Sequence, residues 1–115
     1  MTPYPGSLQA HPERAGIYTF RLEAEHPAYR GHFPGDPILP GVVQVEWALR
    51  LGEAAFGPFG AFQGLEHLKF QGTITPGEAI TLTLGWDADR RELAFEYAAP
   101  EGLKSKGFAR YAARP

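Results

Sequence analysis

Apolar and polar residues alternate in several short segments of this 115-residue chain, a pattern typical of strands with one buried face. The first segment is 17–24, which reads I-Y-T-F-R-L-E-A. Four more follow in series at 62–71, 79–86, 92–98 and 104–112, separated by short stretches that contain Pro, Gly or Asp. Because parallel neighbours need longer crossover connections, these four segments predict an antiparallel meander.

A different pattern covers residues 41–56, where apolar residues recur at helical spacing. The helix is predicted to end at Gly57-Pro58, a strong stop signal. Its apolar positions occupy most of the circumference, which predicts a helix buried on nearly all sides. One face carries Val42, Val45, Leu49, Gly52 and Phe56, and a neighbouring face carries Val43, Trp47, Leu51 and Ala54.

One long buried helix wrapped by an antiparallel sheet is an α+β architecture. The length suits a single domain, which we place at residues 16–115, behind a flexible N-terminal arm at 1–15 that is rich in Pro and polar residues. A helix this apolar has more surface to bury than one small sheet covers. The pattern therefore favours a homodimer that pools two sheets into a larger core.

Composition narrows the classes of function. The chain has no cysteine, which excludes disulfides, thiolate zinc sites and cysteine nucleophiles and favours a cytoplasmic location. It has no apolar run of membrane-spanning length and no secretory signal pattern at its start. A net charge of -2 argues against nucleic-acid binding through phosphates. The end from 103 to 115 is basic, so it either meets an acidic partner or is an ordinary solvated face; its cations are Lys104, Lys106, Arg110 and Arg114.

Candidate chemistry is concentrated just before and within the helix. His32 lies in a loop stiffened by Pro34, Pro37 and Pro40, which suits a side chain held in one orientation. A neutral imidazole can accept a proton at physiological pH, so His32 is a candidate general base. The alternative is a loop histidine bonded to a nearby carbonyl.

Glu46 and Gly41 complete the candidate site. Burial among apolar neighbours favours the protonated form of Glu46, which could then act as an acid. An ion pair with Arg50, four residues on, is the competing interpretation. The N–H of Gly41, at the helix start, could hold a carbonyl oxygen that gains negative charge, or the glycine could simply form a tight junction.

Together these groups suggest removal of a proton next to a carbonyl, followed by loss of water from a 3-hydroxyacyl group. A metal site made of His26, His32 and Asp36 is the weaker alternative, because their spacing fits no familiar ligand pattern.

The segment from Gly31 to Glu46 reads G-H-F-P-G-D-P-I-L-P-G-V-V-Q-V-E and resembles the β-hydroxyacyl-acyl-carrier-protein dehydratases of the hotdog-fold superfamily, whose hallmark is G-H-F-P-G-x-P-x-x-P-G-V-x-x-x-E/D. Looser similarity continues through 62–70 and the turn at 75–78. The resemblance implies a hotdog fold that dimerises through the sheet, with histidine and acid from opposite subunits. It also implies an acyl tunnel at the interface, substrates linked to acyl-carrier protein or coenzyme A, and no cofactor.

By the same resemblance His32 is the base, Glu46 the acid partner and Gly41 the oxyanion donor, with Val42, Phe33 and Trp47 beside the substrate. The basic end could then help to dock an acidic carrier protein.

The sequence departs from the fatty-acid-synthesis enzymes after Glu46, where it reads W-A-L-R. The form I-L-P-G-V-x-Q-x-E/D-W-A is more similar to the small dehydratases of aryl-polyene and related lipid clusters, and Trp47 could reshape or shorten the acyl pocket. Two alternatives stay open. One is a hotdog thioesterase in which Glu46 activates water, although the G-H-F-P loop argues against it. The other is a non-catalytic acyl-binding subunit.

Overall fold

Six antiparallel strands and one long helix form the part of the chain that this computed structural model describes, residues 1–29 and 37–113. The predicted site residues His32 and Phe33, the alternative metal ligand Asp36 and the basic Arg114 lie outside the described residues. A short 3-10 helix spans Pro27–Tyr29. The main elements are β1 (Gln9–Ala10), β2 (Ile17–Phe20), α1 (Gly41–Phe56), β3 (Phe62–Phe70), β4 (Ile80–Asp87), β5 (Glu92–Ala99) and β6 (Gly102–Tyr111).

Helix α1 has the predicted bounds. Pro40 precedes it with φ -61° and ψ 144°, an extended conformation that fixes the entry of the chain into the helix. At the other end the N–H of Gly57 donates to the carbonyl of Glu53 at 2.9 Å. One side of the helix packs on the inner face of β4 and β5. Its buried residues are Val43, Gln44, Trp47, Ala48, Leu51 and Gly52.

The opposite side of α1 is open in the single chain. Val42 is 76% exposed, and Val45, Leu49 and Phe56 are only half-buried. In one chain the predicted burial is therefore incomplete on this side, because one curved sheet covers only part of a cylinder. The apolar stripe formed by Val42, Val45, Leu49 and Phe56 stays partly exposed, although the last three residues also pack against the core.

The strand order is β1-β2-β4-β5-β6-β3. Strands β4, β5 and β6 form the predicted meander, and their inward residues alternate as expected. The prediction that β3 pairs with β4 is wrong. β3 pairs with β6 at the far edge, with Phe62 opposite Tyr111 and Phe70 opposite Ser105. β4 pairs instead with β2, from Ile17 opposite Thr83 to Phe20 opposite Ile80.

Differences at the start of the chain are smaller. β2 ends at Phe20, four residues before the predicted end. Within the predicted arm, Gln9 and Ala10 form β1 and pair with Thr19 and Tyr18 of β2. No helix within residues 1–29 and 37–113 is long and apolar enough to cross a bilayer.

Candidate active site at the start of the central helix

Gly41 places an open backbone donor at the start of α1. Within the described part of the chain, no acceptor is found for the N–H groups of Gly41 and Val42, whereas Val43 and Gln44 both donate to the carbonyl of Pro40. A Cβ at position 41 would lie 2.7 Å from Cζ of Phe70. Glycine therefore lets the ring of Phe70 pack directly against the backbone that carries these donors.

The chain just before the helix is fixed on both sides. The N–H of Leu39 donates to the carbonyl of Ile74 at 2.9 Å, and the side chain of Gln44 donates to the carbonyl of Leu39 at 3.1 Å. Leu39 itself is 1% exposed. The junction that presents Gly41 is consequently held by the core of the domain.

Gln44 also connects the helix start to the sheet. Its side-chain oxygen accepts a hydrogen bond from the hydroxyl of Ser105 at 2.6 Å, and its carbonyl accepts one from the hydroxyl of Tyr97 at 2.8 Å. Burial raises the pKa of Tyr97 well above its usual value, so it stays a donor. Sequence reasoning missed this network, although a lone glutamine in an apolar helical run was its signal.

Glu46 lies on the next turn, and its carboxyl group is half-buried at the border of the open stripe. The N–H of Thr2 is 3.2 Å from each carboxyl oxygen. The alternative ion pair with Arg50 is absent between these two described residues. Arg50 donates instead to the carbonyl of Thr2 at 2.8 Å and lies over the ring of Tyr4 at 4.2 Å.

Trp47, the predicted pocket residue, is 1% exposed and faces the core. Its indole N–H donates to the carbonyl of Thr2 at 3.2 Å. The rings of Phe20 and His26 meet it edge-on, at 6.0 Å and 5.7 Å between centroids. Trp47 therefore supports the helix from the side opposite Val42, and its contact with substrate stays a prediction.

His26, one of the three alternative metal ligands, has a structural role. Its Nδ1 accepts from the N–H of Ala28 at 3.0 Å, and its Nε2 lies 3.2 Å from the carbonyl of Tyr4. Residues 1–29 and 37–113 contain no group of three His, Cys, Asp or Glu side chains placed to hold a metal ion.

The comparisons with known proteins now bear on this geometry. A family model described as ApeI-like, ApeI dehydratase, matches residues 9–108. The chain belongs to the ApeI-like dehydratase family. Among solved structures, "The Dehydratase Heterocomplex ApeI:P from Xenorhabdus doucetiae" superposes with a TM-score of 0.83 at 27% identity, covering 98% of this chain and 100% of the other. The predicted hotdog fold is confirmed.

Curated relatives of this ApeI-like chain include two proteins named 3-hydroxyacyl-[acyl-carrier-protein] dehydratase FabZ. The relative from Alkaliphilus metalliredigens is 32% identical over 85 residues, which are 68% of this chain and 58% of the relative. The relative from Acetivibrio thermocellus is 32% identical over 82 residues, covering 65% and 56%. The chain thus matches less than two thirds of the length of each.

Exposed apolar residues lie near Gly41 in this ApeI-like chain. Beside the 76% exposed Val42, the β3 residues Leu68 and Phe70 are 41% and 45% exposed. Two more exposed side chains of β3, Phe62 and Leu65, extend the apolar surface along the edge strand. The candidate site therefore lies beside apolar side chains that are exposed in the single chain.

Two of the four cations of the basic C-terminal end, Lys104 and Arg110, are paired with acids. Lys104 lies 2.9 Å from Glu78 and 3.3 Å from Glu101, and Arg110 lies 2.9 Å from Glu66. The hydrogen bond that the Lys104 ammonium donates to Glu78 outweighs partial burial and raises the pKa of Lys104. These pairings weaken the expectation that the C-terminal cations dock an acidic partner.

Proposed function

We propose that this chain dehydrates a 3-hydroxyacyl thioester, carried by acyl-carrier protein or coenzyme A, to the trans-2-enoyl thioester. The observation that carries the proposal is the start of α1. There the open N–H of Gly41 and the carboxyl group of Glu46 lie along one helix, next to an exposed apolar stripe. Membership of the ApeI-like dehydratase family and similarity to the FabZ proteins support the same reaction.

In the proposed mechanism His32 removes a proton from C2 of the acyl group. The negative charge that develops on the thioester carbonyl is stabilised by the N–H of Gly41, a donor at the positive end of the helix dipole. Glu46 gives its proton to the C3 hydroxyl, which leaves as water as the C2–C3 double bond forms. The proton taken by His32 returns to solvent, and one that reaches Glu46 restores its acid form.

We further propose that the site is completed by a second hotdog subunit. The exposed Val42 follows Gly41, the exposed Phe70 of β3 packs against Gly41, and β3 is an edge strand, so a second subunit would cover this apolar surface and pair with the free edge. The partner is a second copy of this chain in our proposal. A related subunit is the other candidate, since the similar Xenorhabdus protein is described in a heterocomplex. Phe33, Val42 and Trp47 stay proposed substrate contacts.

A place in fatty-acid or polyene biosynthesis and a cytoplasmic location belong to the same proposal. They are supported by the names of the relatives and by a composition without cysteine. No cofactor takes part in the proposed steps.

The decisive experiment supplies the purified protein with a 3-hydroxyacyl thioester and follows the ultraviolet absorbance of the enoyl thioester together with free thiol. Dehydration raises the absorbance and releases no thiol. Release of thiol instead would establish a thioesterase, and acyl binding without turnover on either carrier would establish a non-catalytic subunit.

The acid assignment is tested by Glu46→Gln, which keeps the shape of the side chain but removes its proton. We expect kcat to fall by about a hundredfold or more. We expect a similar fall in kcat for His32→Ala, which removes the base. Glu53→Gln is the matched control, because Glu53 is an exposed acid on the same helix. Equal rates for Glu46→Gln and Glu53→Gln would remove Glu46 from the mechanism.

A further inference from the structure

The first five residues lie against the side of α1 that carries Glu46. Thr2 alone makes backbone contacts with three side chains of this helix. Its N–H points between the two carboxyl oxygens of Glu46, 3.2 Å from each. Its carbonyl accepts from Trp47 at 3.2 Å and from Arg50 at 2.8 Å. The backbone N–H and the carbonyl of Thr2 thus both bond to side chains on one surface of the helix.

The segment is anchored again two residues further on. The ring of Tyr4 lies under the guanidinium of Arg50, 4.2 Å from its central carbon, a distance that suits a cation–π contact. The carbonyl of Tyr4 lies 3.2 Å from Nε2 of the buried His26, and Pro5 is buried. The position of the Thr2 N–H is therefore set by the contacts of the Thr2 carbonyl, Tyr4 and Pro5 that follow it in the chain, independently of Glu46.

A fixed donor restricts a long side chain such as that of Glu46 to one orientation, which keeps its carboxyl group in the geometry that the reaction needs. We propose that residues 1–5 act as a positioning strap, in which the Thr2 N–H holds the Glu46 carboxyl in its reactive orientation. The proposal rests on the proposed role of Glu46 as the catalytic acid, and the strap itself does not touch substrate.

Among the described residues, the charged and titratable groups placed near this carboxyl are Arg50 on the same helix and Tyr4 on the strap, and Tyr18 on β2 acts on Tyr4. Burial raises the pKa of Tyr4, although Arg50 opposes the shift. A substitution at position 2 changes none of these groups, so its effect reports the Thr2 donor.

The test compares Thr2→Pro, which removes the N–H, with Thr2→Ala, which keeps it. Both full-length variants carry the same short extension ahead of Met1, so that the backbone nitrogen of residue 2 stays in a peptide bond. Met1 is 95% exposed, so the extension reaches solvent. We expect kcat of Thr2→Pro to be roughly tenfold lower than that of Thr2→Ala, with little change in KM.

A readout without turnover separates this proposal from the proposed function. In protein labelled with ¹³C at the glutamate carboxyl groups, we expect the Glu46 carboxyl signal to keep its wild-type position in Thr2→Ala and to move in Thr2→Pro, because only Thr2→Pro loses the hydrogen bond. An unmoved Glu46 signal in both variants, or equal kcat values, would overturn the strap. Equal losses of activity and melting temperature in both variants would also overturn it, because they indicate a purely structural arm. Full activity of Glu46→Gln would instead overturn the acid assignment and leave the comparison of carboxyl signals valid.

Discussion

At the scale of single residues, Gly41 shows how a packing requirement and a chemical role meet at one position. The ring of Phe70 lies so close that any side chain at position 41 would displace it. Because glycine has no side chain, the N–H of Gly41 is not covered by a side chain of its own residue. Substituting this glycine therefore tests the geometry of the oxyanion site without removing a titratable group.

We expect Gly41→Ala to lower kcat between about ten- and a hundredfold, because the added methyl group shifts Phe70 and the donor by a fraction of an ångström or more. Gly85→Ala is the control, since a Cβ there meets nothing within 4 Å. Steady-state kinetics and the melting temperature of both variants check the prediction. Matching kinetics in the two variants would contradict the oxyanion role.

At the scale of elements, the N-terminal half of α1 is tied to β6 by the buried pair of Gln44 and Ser105 and to β5 by Tyr97. A buried hydrogen bond contributes modestly to the free energy of unfolding. A buried polar group that loses its partner destabilises the protein more, because its desolvation is then uncompensated. The arrangement therefore fixes the register of helix against sheet as well as stabilising it.

The single variants Gln44→Met and Ser105→Ala should each lower the free energy of unfolding by about 1 to 3 kcal/mol, because each leaves a buried polar group unpaired. The double variant should cost less than the sum of the two by about 1 kcal/mol or more. Urea unfolding of all four proteins measures this coupling. Additive losses would show that the two side chains do not depend on one another.

At the scale of the whole molecule, the described chain exposes an apolar helix stripe beside the free edge of β3. Five large apolar side chains lie in or beside this surface: Val42, Phe62, Leu65, Leu68 and Phe70. Contiguous exposure of this kind marks an association surface. It also lies beside Gly41 and Glu46, which links assembly to activity.

We expect Val42→Arg to abolish self-association, because a buried interface would have to desolvate an unpaired guanidinium. Thr83→Arg serves as the control, since Thr83 is an exposed residue of β4 outside this surface. Sedimentation velocity of the wild type and both variants gives the masses. The same mass for the wild type and for Val42→Arg would contradict the proposed interface.

The sequence by itself determined the bounds of α1, the existence of the four strands β3 to β6 and the residue types of the candidate site. These could be predicted because periodicity and motif spacing are local properties. It did not determine that β3 pairs with β6, since several antiparallel orders satisfy the same alternation. Nor did it show that Thr2 reaches Glu46, or that Gln44 meets Ser105. These contacts join residues 44 and 61 positions apart, and only tertiary packing brings such distant groups together.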